Sequence, residues 1–312
     1  MRLLRTAELD ELRDLCQRGE FFWLDLHDPS RGELETVSEI LHLHPLALED
    51  TQEFGQRPKV DDYENQLLLV YFGAASGEDG PVPVEVHLHI SGSFVITVHR
   101  DHCAEFDRVQ ASLERTPAKN ETALVYRVID ALTDSLIDVL DGVAAQIDEY
   151  ETIVFRRPRA RDRDRMALLR RTLGGLRRVL VVQRQIFERA IERIDALPGL
   201  EQDLTDYWRD VGDHLWRALD EIEVARDSLQ GMLDTYANEV QERLTIVATI
   251  FLPLTVITGF FGQNFTWMIN HIGSAWAFWG LGVGGLLVSI ATIVGWLMRS
   301  GLSQGPRRNR RA

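Results

Sequence analysis

The sequence predicts an α+β membrane protein: an α/β/α domain at its start, a long helical stalk, and two membrane-spanning helices at its end. Three observations carry this reading. Residues 244–298 contain no Asp, Glu, Lys or Arg in 55 positions. Between residues 121 and 243 a helical periodicity runs with almost no Pro or Gly to interrupt it. Residues 1–120 carry short β-branched and aromatic runs bounded by Gly, Pro and Asp, which is the pattern of strands.

In the first domain, residues 1–120, the strand candidates are 21–26 (FFWLDL), 66–72 (QLLLVYF), 84–90 (VEVHLHI) and 93–99 (SFVITVH). The Ser91-Gly92 step between the last two marks a tight hairpin. Residues 31–41, 45–51 and 101–114 read as helices, giving an α/β/α sandwich. His87 and His89 alternate on one strand and so share a face. No carboxylate or cysteine pattern completes a metal site around them, so they are expected to be structural residues on a half-solvated face. Two cysteines, Cys16 and Cys103, lack metal-ligand spacing and fit a reducing compartment without disulfides. No phosphate-cradling glycine loop, nucleophile elbow or HExxH is present, so nothing in the chain supports an enzyme.

The stalk, residues 121–243, divides near 156–161 and 197–200 into three helices. The third continues from about residue 201 into the first span. Its 43 soluble residues come to roughly 65 Å, and the helix before it to roughly 53 Å. Up, down and up again, the three would stand on the membrane with the turn at 156–165 on the membrane side. That turn, FRRPRARDRDR (155–165), is dense in Arg. A net charge of −14 and the lack of aromatic interleaving exclude nucleic acid as its partner; anionic lipid or neighbouring acidic helices account for it more simply. Residues 201–239 hold eleven Asp or Glu against three Arg, either a solvated face or a surface that concentrates divalent cations.

The spans are residues 244–261 and 276–298, 18 and 23 long where a bilayer core needs about 20. The loop 262–275 joins them. A buried hairpin of a soluble protein would seldom go so far without a charge. Arg243 precedes the first span, while Arg299, Arg307, Arg308, Arg310 and Arg311 lie in the basic tail 299–312, and the loop carries no Lys or Arg. Both termini are therefore expected in the cytoplasm of a multi-pass protein of the cell membrane. Asn238, Gln241, Thr245, Ala248, Leu252, Thr255 and Gly259 recur at alternating threes and fours and form one stripe along the helix that runs into the first span. Polar groups in a span normally face a cavity or a partner. Thr hydroxyls there have a plain use as well, bonding back to the helix, which Pro253 makes valuable by removing the bond to Thr249.

At the end of the first span stands Phe261-Gly262-Gln263-Asn264-Phe265. It resembles the Gly-x-Asn signature of the CorA family of magnesium and cobalt channels, with Phe261 and Gln263 where the usual form has Tyr and Met. TIVATIFLPLTVITG (245–259) is similar to the family's pore helix. HPLALED (44–50), QRPKVDDYEN (56–65) and YWRDVGDH (207–214) resemble stretches of its cytoplasmic domain and stalk, so the resemblance covers nearly the whole chain. It implies a homopentameric funnel, with the first span of each subunit around a central pore and no organic cofactor. Gly262, Gln263 and Asn264 would then form the selectivity filter, and Leu252 and Leu244 hydrophobic constrictions. It implies uptake of Mg²⁺, with Co²⁺ and Ni²⁺ as further ions, gated by cytoplasmic Mg²⁺ bound between Asp210 and an acidic residue of the neighbouring domain: Asp79, or Glu78 beside it. The outer loop TWMINHIGSA (266–275) departs from the family in carrying no Asp or Glu. A zinc transporter of the same superfamily and a non-conducting membrane-anchored scaffold are the alternatives.

Overall fold

The structure, a computed structural model, describes residues 2–4, 9–101, 104–116, 118, 120–154, 159–200, 204–263, 266, 270–271 and 274–299. Six strands form one sheet in the order β1-β2-β6-β5-β4-β3. They are β1 (Arg2–Leu4), β2 (Phe22–His27), β3 (Lys59–Tyr63), β4 (Gln66–Gly77), β5 (Gly80–Ser91) and β6 (Phe94–His99). β1, β2 and β6 run parallel, and the β6-β5-β4-β3 half is antiparallel. The helices are α1 (Leu9–Arg18), α2 (Arg31–Leu41), α3 (Pro45–Gln52), α4 (Ala104–Arg115), α5 (Glu121–Val154), α6 (Ala160–Asp195) and α7 (Thr205–Phe261).

Alternation along the strands sends side chains to two helical layers. On one face Phe22, Leu24 and Leu26 of β2 with Phe94, Ile96 and Val98 of β6 are covered by Leu12 and Leu15 of α1 and Leu34, Val37 and Leu41 of α2. On the other, Trp23 meets Phe106 of α4 edge-on at 5.7 Å, and the Tyr71 hydroxyl lies 2.8 Å from Thr133 of α5. The α/β domain expected at the start of the chain is thus present, together with the long helix and two apolar helices at its end. Ser30 caps α2 in a reciprocal box with Glu33, and Pro45 opens α3 where its missing N–H is no loss. β4 outruns β3, whose last partner is Val70, so a bare edge remains beyond it. Gln183 of α6 seals that edge, accepting from the Phe72 N–H at 2.7 Å and donating to its C=O at 2.9 Å. The β5–β6 turn needs Gly92, because a Cβ there would fall 1.9 Å from the Pro198 carbonyl of the α6–α7 connection.

β1, α1 and β3 extend the sequence reading. β3 is KVDDY, whose two carboxylates suit a turn. Pairing with β4 holds it extended, while Asp61 meets Lys59 at 3.2 Å and Asp62 meets Arg193 at 3.0 Å. His87 and His89 sit on a fully buried face, not the half-solvated one expected, because α3 and Phe54 cover it. His87 Nε2 donates to Glu85 at 2.8 Å and the ring stacks on Phe54. His89 bonds Thr51 at 2.8 Å; burial and the charge of His87 push its pKa down to about 3, so it stays neutral.

A second buried network ties β2, β6 and α4 together. Asp25 accepts from Thr97, from Gln110 at 2.9 Å and from His99 Nε2 at 3.2 Å, while His99 Nδ1 donates to the Asp101 carbonyl at 2.7 Å. Burial by itself lowers the His99 pKa, but the bond and charge of Asp25 and the Asp101 carbonyl outweigh it and raise the pKa above the ordinary value. A raised folded-state pKa gives stability that is complete below the unfolded value of about 6.5 and is lost as pH rises through the folded value. Thermal unfolding of the full chain in detergent should therefore show a melting temperature a few degrees lower at pH 8 than at pH 6.5. Asp25→Asn should flatten that slope, and parallel slopes for the two proteins would refute the assignment.

Contacts divide the chain into two units: Met1–Glu151 with Arg159–Gly231, and Thr152–Pro158 with Met232–Ala312. The second holds the apolar part of α7 and the last helical run. That run starts at Ala275–Ala277, widens to a π-helix over Phe278–Gly284 and continues as α8 (Gly285–Arg299). None of the most apolar window of α7 is buried, unlike a core helix of a soluble protein.

Candidate functional site

Asn238, Gln241, Leu244, Thr245, Ala248, Leu252, Thr255 and Gly259 all lie in α7, and each is exposed. At 100° per residue they fall within a stripe about 120° wide. Leu244 and Leu252 are 65% and 66% exposed, so the constrictions expected from the sequence stand unpacked on the helix surface. The Thr hydroxyls are tied inward: Thr245 donates to Gln241 O at 2.9 Å, Thr249 to Thr245 O at 2.8 Å, and Thr255 to Phe251 O at 2.6 Å. The last turn closes with Gly262 N–H on Thr258 O at 2.9 Å and Gln263 N–H on Phe260 O at 3.3 Å. Gly262 does not take the left-handed conformation of an αL cap, and Gln263 is exposed. Asn264 lies outside the described residues, as do Cys103, Arg156, Arg157 and the tail 300–312.

In the first unit a cluster of cation-binding type forms where α5 meets the start of α7. Asp130 and Asp134 are four apart on α5, and Asp210 and His214 four apart on α7, so each pair shares a helix face. One ligand atom each from Asp130, Asp134 and His214 lie within 4.8 Å of one another. His214 Nδ1 stands 3.1 Å from Asp134 Oδ1, and Nε2 4.0 Å from Asp210 Oδ1. Opposite ligands on a hard divalent ion are about 4–5 Å apart, twice a metal–oxygen distance, so this spacing admits one. Burial first, then the charge of Asp134, push the Asp130 carboxyl up to about 6. Tyr126 closes the cluster on the side of Trp208, its ring 5.5 Å away, and its hydroxyl pKa is pushed up by burial and by Asp130. Carboxylates suit Mg²⁺ directly or through its water; the imidazole adds affinity for Co²⁺, Ni²⁺ or Zn²⁺.

Sequence reasoning singled out Asp210 but not Asp130, Asp134 or His214. The four-residue spacing of each pair is visible in the sequence; that α5 and α7 face each other there is not. Asp79 and Glu78 are exposed on the β4–β5 turn, which packs on α6, where a Cβ at Gly80 would fall 2.7 Å from Thr172. α6 and α7 run antiparallel, Arg177 facing Glu223 at 2.6 Å and Arg184 lying 3.1 Å over Trp216. Gly212 lies beside Phe187, so Asp210 is level with that part of α6, some 15 residues or roughly 23 Å from Thr172. Within one chain the turn and Asp210 are not brought together.

Comparison with known proteins supplies the context. The model of the CorA-like Mg2+ transporter protein family matches residues 18–299. The chain is 30% identical to the cobalt/magnesium transport protein CorA of Thermotoga maritima over 281 residues, 86% of this chain and 80% of that one. It is 28% identical to the divalent cation transporter CmaX of Pseudomonas aeruginosa over 260 residues, 79% and 76% of the two chains. The CorA magnesium transporter structure from Methanocaldococcus jannaschii superimposes with a TM-score of 0.66 over 90% of each chain at 22% identity, which speaks to the fold.

Proposed function

The chain belongs to the CorA-like Mg2+ transporter family and is on that ground a transporter and not an enzyme; from this premise we propose that it is a channel carrying Mg²⁺ into the cytoplasm. The observation that carries the reading is the α7 stripe, an unburied apolar helix with Thr, Asn and Gln on one side, ending in Gly262-Gln263-Asn264. Five copies would set these stripes around one pore, with Leu244 and Leu252 as constrictions that shut by dewetting. Co²⁺ and Ni²⁺ are further ions of the same path. The arginines at the ends of the spans favour both termini in the cytoplasm of the cell membrane. Mg²⁺ gives up its water reluctantly, and neutral amide and hydroxyl oxygens suit an ion that crosses with its shell intact.

Closure on cytoplasmic Mg²⁺ follows from the cluster of Asp130, Asp134, Asp210 and His214, with Asp79 or Glu78 of a neighbouring subunit completing it. Carboxylates held face to face repel, and a divalent ion between them holds the subunits together. Liposomes containing the purified chain, loaded with a Mg²⁺ indicator, should take up Mg²⁺ faster at inside-negative potential and without an imposed pH gradient. Competition by Co²⁺ and Zn²⁺ ranks the ions. Dependence on the pH gradient with preference for Zn²⁺ would overturn the Mg²⁺ assignment, and no flux of any ion would leave a membrane-anchored scaffold.

A further inference from the structure

Charge along α6 is graded. Seven Arg and two Asp give its residues 160–178 a charge of +5, whereas three Arg against Glu188, Glu192 and Asp195 leave residues 179–195 neutral. Counting from residue 155, ten Arg and two Asp make +8 by residue 178, so the rest of a chain of −14 carries −22. An acidic body of that size is repelled by an anionic leaflet, and this stretch and the basic tail 299–312 are the exceptions. Arg159, Arg161, Arg163 and Arg165 are exposed, with Leu168 beside them, while Arg170 and Arg177 farther along turn to Gln230 and Glu223 of α7.

One observation gives the direction in which this end of α6 lies: α6 runs antiparallel to α7, so its first residues point in the C-terminal direction of α7, the helix whose later part is the first span. We infer that the start of α6, Arg159 to Arg165, is a docking surface for anionic phospholipid headgroups of the leaflet facing the stalk. Asp162 is turned inward and caps the helix on the Arg159 N–H at 3.0 Å, with its other oxygen 3.7 Å from Arg161, so it offsets part of that charge. Asp164 also competes, at 2.7 Å from Arg163.

The test uses the full chain in phosphatidylcholine vesicles with a trace of spin-labelled phosphatidylglycerol or spin-labelled phosphatidylcholine, and reads the motionally restricted fraction of each label. Wild type should prefer phosphatidylglycerol, less so at high salt. Arg161→Gln/Arg163→Gln/Arg165→Gln should lower that preference by at least about threefold, the same positions as Lys should keep it, and Asp164→Asn should raise it. The tail arginines are common to all these proteins and do not enter the differences. Equal preference in wild type and the Gln variant would overturn the inference. So would an unchanged preference together with loss of the oligomer on cross-linking, which would assign these arginines to a second copy of the chain.

Discussion

Asn264→Ala should bring Mg²⁺ uptake by reconstituted vesicles down to the leak of protein-free vesicles, with assembly and helical content unchanged. A hydrated Mg²⁺ presents polarised O–H groups, and each amide oxygen at the pore mouth accepts one of them. Such bonds to a charged partner are worth about 1.5–3 kcal/mol, so even one lost bond costs more than about tenfold. The loop beyond, with no Asp or Glu, offers no substitute attraction. Asn264→Asp restores an acceptor and adds charge, so flux should return with altered ion preference. Unchanged flux in the alanine variant would remove Asn264 from the filter.

The second large effect concerns Asp134. Asp130 has its pKa raised to about 6 by burial and by the Asp134 charge. A carboxyl whose folded pKa lies above its unfolded value of about 3.9 costs the fold nothing while both states are protonated. The cost grows between about pH 4 and 6 and is complete above that. A bound divalent ion offsets the repulsion. At pH 7, Mg²⁺ should thus raise the melting temperature of the wild-type chain, and at pH 5 much less. Asp134→Asn should make the Mg²⁺-free protein more stable than wild type and shift half-maximal stabilisation to Mg²⁺ concentrations at least about tenfold higher, by the loss of one charge-assisted ligand. In patch recordings the same variant should stay open at internal Mg²⁺ that closes wild type. A variant that keeps the wild-type Mg²⁺ response would place regulation elsewhere.

What the sequence makes legible here follows physical cost. The spans are plain because a charge in hydrocarbon is expensive, so 55 consecutive residues without one point to a bilayer. β2, β4, β5 and β6 are plain because each is rich in β-branched, aromatic and other apolar side chains, continuous in β4 and alternating with polar ones in β5. β3 is not, since its stability comes from β4 and from ion pairs made by Lys59 with Asp61 and Arg193 with Asp62, contacts 2 and 131 residues apart in the chain. The burial of His87 and His89 depends on Phe54 and Thr51, brought over them by a helix and loop whose docking no local pattern encodes. The cation cluster is half legible for the same reason: periodicity pairs Asp210 with His214, but only packing sets them against Asp130 and Asp134.

The inward tie of the Thr255 hydroxyl has a consequence for the sign of the charge that can pass. With its hydrogen held on Phe251 O, the group turns only lone pairs outward, and no rotation frees a donor without breaking a 2.6 Å bond. The water shell of a cation points hydrogens outward, and that of an anion points oxygens outward. Five such hydroxyls around the proposed pore would greet the first shell and leave the second without a partner, so chloride would be refused by water orientation alone in a passage with no charged side chain.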